Sequence, residues 1–110
     1  MKKNTKKSII KERLLVDESI GIHKKKGNGI IRRQIWTNNN NEVTRYSLAY
    51  INRHLFHGDN GRVLGYDNAH GHHHKHYMGK IESVIFNTFH ELENQFQQEF
   101  EVLHEQTKKR

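Results

Sequence analysis

Five of the ten histidines fall between positions 70 and 76, in the run Asp67-Asn68-Ala69-His70-Gly71-His72-His73-His74-Lys75-His76. If the chain is extended from near His72, its period of two places His72, His74 and His76 on one face and His73, Lys75 and Tyr77 on the other. Three imidazoles on one face, with Asp67 just before the turn, support two chemistries. The first is acid–base chemistry. An unperturbed imidazole titrates near pH ~6.5, so a pair such as His74 and His76 can take the proton of an RNA 2′-hydroxyl and return one to the leaving 5′-oxygen without a metal. Asp67 would then fix the tautomer of one imidazole, while Arg62 and Lys75 neutralise the phosphate in flight. The second is metal binding. Neutral histidine is the commonest metal ligand, and His72, His74 and His76 with Asp67 would suit a divalent transition metal such as zinc, nickel or iron. The spacing matches no closed zinc motif. The remaining reading is a solvated, positively charged edge.

These side chains need a sheet to hold them. Arg62–Asp67 reads as a strand, Asn68 to Gly71 as a turn, and a second extended run starts near His72. Residues 44–52 form the cleanest strand, with Tyr46, Leu48 and Tyr50 alternating with Arg45, Ser47 and Ala49 and facing the core. Ile30–Thr37 is a further strand with neither face wholly apolar, which predicts an edge or a functional face. Residues 24–29 (Lys-Lys-Lys-Gly-Asn-Gly) read as a hairpin turn, because Asn-Gly and its flanking glycine tolerate positive φ. The Asn run at 38–41 reads as a loop, since asparagine side chains compete for backbone hydrogen bonds. Residues 8–16 fit a helix or a strand. Thr88 followed by Glu91 is a capping box. Phe89, Leu92, Phe96, Phe100 and Leu103 then form one stripe of an amphipathic helix of about 17 residues. The expected fold is α+β: a small antiparallel sheet of four to five strands with one C-terminal amphipathic helix packed on it. Residues 1–7 read as a disordered basic arm, 8–106 as a single domain and 107–110 as a basic tail.

Composition narrows the partners. The net charge of +7 is one-sided: residues 1–37 hold 11 basic and 3 acidic side chains, and residues 38–110 hold 8 and 9. An excess confined to one end suits a polyanion such as RNA or DNA, or an acidic protein partner, with Arg32 and Arg33 placed inside a patterned segment. There is no cysteine, which excludes disulfide frameworks and Cys-based zinc fingers. No apolar run reaches the roughly 18 residues of a membrane span, and no secretion signal is legible, so the cytoplasm is the expected location. His23, His54, His57, His90 and His104 read as surface or packing residues, and Trp36 as core rather than a base-stacking platform.

Val63-Leu64-Gly65-Tyr66-Asp67-Asn68 followed by His74-Lys75-His76 resembles the TumE-like family of small bacterial toxins from toxin–antitoxin operons. Ile35-Trp36 and Tyr46-Ser47-Leu48-Ala49-Tyr50 sit where that family has an Ile-Trp strand and a Tyr-x-Leu strand. The likeness covers roughly residues 10–100. It implies a growth-inhibiting, RNA-directed toxin, a cognate helix-turn-helix antitoxin, and Tyr66, Asp67, Asn68, His74, Lys75 and His76 as the family-like residues. The leading expectation is an RNA-directed toxin acting as a metal-independent ribonuclease. Asp67, His74 and His76 would be catalytic, and Arg32, Arg33, Arg62, Tyr66, Asn68 and Lys75 would bind substrate. The rivals are a non-catalytic nucleic-acid-binding regulator using Lys24, Lys25, Lys26, Arg32 and Arg33, and a metal-binding module built on His72, His74 and His76.

Overall fold

The computed structural model describes residues 11–109; the basic arm expected over residues 1–7 lies outside them. Six strands run in sequence order: β1 Arg13–Gly21, β2 Ile30–Thr37, β3 Val43–Ile51, β4 Arg62–Asp67, β5 His74–Tyr77 and β6 Lys80–Ser83. Each pairs antiparallel with the next, so the sheet is a plain meander. One helix, α1 Phe89–Glu105, follows. The sequence had pointed to four to five strands. Of the ambiguous segment 8–16, residues 13–16 belong to β1 and residues 8–10 lie outside the described residues; β6 escapes the sequence pattern because it is short, exposed and carries only Ile81 as an apolar residue. β5 starts at His74 rather than near His72, because Ala69–Gly71 makes a 3₁₀ turn with His70 and Gly71 at positive φ.

The other turns form for the reasons their residues suggest. Asn38 Oδ1 accepts from the backbone N–H of Asn40 at 2.8 Å and of Glu42 at 3.1 Å, so the side chain replaces ladder partners and closes the loop. Gly27, Asn28 and Gly29 all have positive φ. A side chain on Gly27 would overlap Thr107 Oγ1 and the His104 ring, so glycine also lets this turn dock on the end of α1.

α1 starts where Thr88 Oγ1 accepts from the Glu91 N–H at 3.1 Å, a cap that satisfies one orphan donor of the first turn. Its stripe of Leu92, Phe96 and Leu103 is buried on Tyr46, Leu48, Tyr50, Leu64 and Tyr66 of β3 and β4. Tyr50 meets Phe100 edge-on with ring centres 4.8 Å apart, and Tyr66 meets Phe96 at 6.3 Å. Such edge-to-face pairs add to the burial of apolar area. The helix closes one face of the sheet only. β2 pairs with both β1 and β3, so it is an interior strand, not an edge. Its mixed pattern arises because one of its faces lacks a helix.

Two histidines brace the ends of this layer. His104 Nε2 lies 2.7 Å from the Lys26 carbonyl and its Nδ1 2.7 Å from the Tyr50 hydroxyl. Near the start of α1, His73 stacks flat on Phe86 with ring centres 3.9 Å apart, and its Nδ1 lies 2.8 Å from the Tyr46 hydroxyl. Burial, with the nearby charge of His74, holds the His73 pKa below the ordinary histidine value. The neutral ring is thus favoured in the fold and the unfolded chain binds the extra proton more readily. By linkage, the stability from this ring is complete above the unfolded value of about 6.5 and is lost as pH falls through the lower folded value. The melting temperature should fall on acidification from pH 8 to 5. His73→Gln, which does not titrate, should fall less over that range in thermal unfolding. Equal slopes would remove His73 from the acid response.

Candidate functional site

On the face away from α1, opposite residues make rows across the strands. One row is Asp17, Gln34, Ser47, Asp67 and His74, and the next is Ser19, Arg32, Ala49, Gly65 and His76. The middle of each row is small, so the floor is nearly flat and the functional groups stand along its β4–β5 side.

Arg62 reaches this face through an irregularity. Strict alternation from Leu64 would put it beneath the helix. The register between β3 and β4 shifts between Tyr50 and Ile51, so that Arg62 opposes Ile51 while Leu64 opposes Tyr50. A bulge of this kind re-aims a side chain. Val63 turns fully into the core, and Arg62 lies across Gly65. A Cβ on Gly65 would stand 2.8 Å from Arg62 Cδ. Glycine inside the strand therefore leaves room for the guanidinium to reach His76.

The contacts then run as one chain. Arg62 Nε donates to Asp59 Oδ2 at 2.7 Å, and an Nη of Arg62 lies 3.1 Å from His76 Nδ1. His76 Nε2 is 2.9 Å from Asp67 Oδ2. A guanidinium has only donors. His76 Nδ1 must therefore accept, and its proton sits on Nε2 and is donated to Asp67. Both nitrogens of His76 are engaged. His74 differs. Its Nδ1 is 3.7 Å from Asp67 Oδ1, beyond hydrogen-bonding range. Its Nε2 has no partner among the described residues. The His74 side chain is 25 % exposed against 14 % for His76, so His74 is the more accessible of the two. Asp67 is itself fixed, since its Oδ1 accepts from the Ala69 N–H at 3.0 Å. His72 is exposed after the turn, its ring centre 6.0 Å from that of His74.

The structure thus brings Arg62, Asp67, His74 and His76 together, with Arg32 two strands away on the same face and 3.4 Å from Asp17. Three other expected substrate contacts lie on the helix side. Tyr66 is fully buried, its hydroxyl donating to Glu99 Oε1 at 2.7 Å and accepting from Gln95 at 2.9 Å; burial, then Glu99, pushes its pKa up. Lys75 Nζ donates to Glu99 Oε2 at 3.0 Å. Arg33 is held by Glu93 and by Glu18 at 2.5 Å; burial opposes its charge, but the two carboxylates outweigh burial and raise its pKa. Asn68 ties the end of β4 to β3, accepting from the Tyr46 N–H at 3.0 Å and donating to the Thr44 carbonyl at 3.0 Å. Two contributors were not picked out from the sequence. Asp59 carries no legible signal. Gly65 does, as a lone glycine inside a strand pattern.

Among the described residues no three His, Asp or Glu side chains are grouped so as to hold a metal ion. A cleft of about 370 Å³ lies on the helix side, between Tyr77, Leu64 and Val102, whereas the histidines stand on the opposite face of the sheet. Among the described residues no helix is long and apolar enough to cross a membrane. The family model described as Toxin TumE matches residues 5–107. No curated protein and no solved structure matches the chain.

Proposed function

The chain belongs to the Toxin TumE family, and from that premise we propose that it is a toxin that acts on RNA in the cytoplasm as a metal-independent ribonuclease. The observation that carries the reading is the Asp67 carboxylate. One oxygen holds His76 at 2.9 Å and the other faces His74 at 3.7 Å, on a helix-free sheet face that Arg62 also reaches. His74 is the base. Its Nε2 takes the proton of a 2′-hydroxyl, the 2′-oxygen forms a bond to phosphorus, and the bond to the 5′-oxygen breaks. His72 supplies the proton to that oxygen. The products are a 2′,3′-cyclic phosphate and a 5′-hydroxyl. The Asp67 carboxylate facing His74 stabilises the imidazolium formed. Arg62, held between Asp59 and His76, places its guanidinium where phosphate charge builds up. His76 is a positioning residue, because both its nitrogens are engaged. The partner fitting this role is a cognate helix-turn-helix antitoxin that keeps the toxin silent.

Incubating the purified protein with an RNA and with its 2′-deoxy analogue, each with and without chelator, tests the reading. RNA should be cut to cyclic phosphate ends with chelator present, and the deoxy strand should be inert. Cleavage abolished by chelator would shift the reading to a metal site at His72, His74 and His76. Salt-sensitive binding of both strands with cleavage of neither would replace it with the non-catalytic regulator.

A further inference from the structure

Trp36 is the single tryptophan of the chain, and it does not lie in the core. It is half-buried on the open face of β2, opposite Arg45 of β3. The Arg45 guanidinium carbon stands 4.0 Å from the centre of the Trp36 ring. Arg45 is half-exposed, with Glu12 at 3.5 Å from its Nη. An exposed guanidinium held over an indole is a flat, cationic, π-rich surface, the chemistry on which unpaired bases stack beside a phosphate. Trp36 and Arg45 lie on the same face as Asp67, since Arg45 is two residues before Ser47 and Trp36 two after Gln34 in the row that ends at Asp67 and His74. Strand spacing and rise put Trp36 about 12 Å from Asp67. One strand can therefore lay a phosphate on the histidines and a neighbouring base on the Arg45–Trp36 stack. Between them Ser47 is small, and Gln34 turns its amide toward β1, with Nε2 donating to Asp17 Oδ1 at 3.3 Å.

We propose that Trp36 and Arg45 form a base-stacking subsite that makes this face selective for single-stranded RNA, seating an unpaired base next to the phosphate at His74. The inference rests on the RNA-directed reading. A duplex buries its bases between the strands and cannot offer one to the indole without unpairing it.

The test uses the full chain and a short single-stranded 2′-O-methyl RNA, which binds but has no 2′-hydroxyl to react. Trp36 fluorescence reports stacking directly, and anisotropy of the labelled strand reports binding. Binding should quench the fluorescence, and the same sequence as a duplex should quench far less. Trp36→Leu should weaken binding about tenfold, within the range for losing one stacked base. Trp36→Phe should restore most of it, and Arg45→Ala should weaken binding with the fold intact by circular dichroism. With cleavable RNA, Trp36→Leu should raise KM more than it lowers kcat. Unchanged fluorescence at saturating strand, equal quenching by duplex, or equal affinity of the Leu and Phe variants would each overturn the subsite. Quenching by the methylated strand with no cleavage of RNA would leave the subsite standing and remove the ribonuclease. Cleavage with no quenching would do the reverse.

Discussion

Alanine at position 74 should lower RNA cleavage by about 10²- to 10⁴-fold, the usual worth of a general acid–base group, and should relieve growth arrest when the toxin is expressed. The fold should survive, because His74 stands on the open face and packs against no part of α1. The same change at position 76 should cost less. His76 has no nitrogen left for substrate, and its loss acts by releasing Arg62 and one oxygen of Asp67. Gly65→Ala should behave like a mild loss of His76. Its methyl would meet Arg62 Cδ at 2.8 Å, and a flexible side chain can swing away at little cost in stability while leaving His76. The ranking His74, then His76, then Gly65 separates this geometry from one in which both histidines transfer protons. Measured kcat/KM values showing His76→Ala as severe as His74→Ala would restore the symmetric acid–base pair and discard the positioning role. A wild-type chain that leaves a bacterial host growing at high expression would count against toxicity itself.

The alternation of β3 and of β4 beyond its bulge was legible because one face of each is buried by aromatic and aliphatic residues. Period two then assigns the faces. The helix was legible from the Thr88 cap and the Leu92, Phe96, Leu103 stripe, which occupy the positions the pattern predicted. The same parity correctly split His72, His74 and His76 from His73 and Lys75. Grouping Lys75 and Tyr66 with a phosphate ignored that split, since both lie on the helix side and meet Glu99. Arg62 shows the opposite limit. Its parity matches Leu64 and Tyr66, and only the register shift against Tyr50 and Ile51 turns it outward. That shift is a property of strand pairing, and one strand read alone carries no trace of it. Trp36 was misplaced for a related reason. Its size argues for burial, but β2 has a helix on one side only. β6 was lost because its hairpin turn is Met78-Gly79, with φ of 46° and 84°, where Asn-Gly would have announced it.

Phe96→Ala should destabilise the fold by about 3–5 kcal/mol, the range for removing a buried phenylalanine. That is a large share of the roughly 5–15 kcal/mol typical of a domain. Phe96 lies midway along the α1 stripe, 4 % exposed, with its ring against the edge of Tyr66. The cavity would open between α1 and β4. β4 carries Asp67 and Arg62 on its other face, so this layer also holds the candidate site in shape. The sheet can hardly relax to fill the space, because Tyr66 is fixed through its hydroxyl to Glu99 and Gln95. Val102, on the same helix but 65 % exposed, supplies the control: its alanine variant should change stability by no more than about 0.5 kcal/mol. Urea unfolding reads both. The midpoint should drop for Phe96→Ala with an unchanged slope, which marks lost stability rather than a changed unfolded state. If the two variants unfold at the same urea concentration, α1 does not anchor the sheet. The strand meander would then have to stand on its own pairing, with one face of Tyr46, Leu48, Tyr50, Leu64 and Tyr66 left without the helix that buries it.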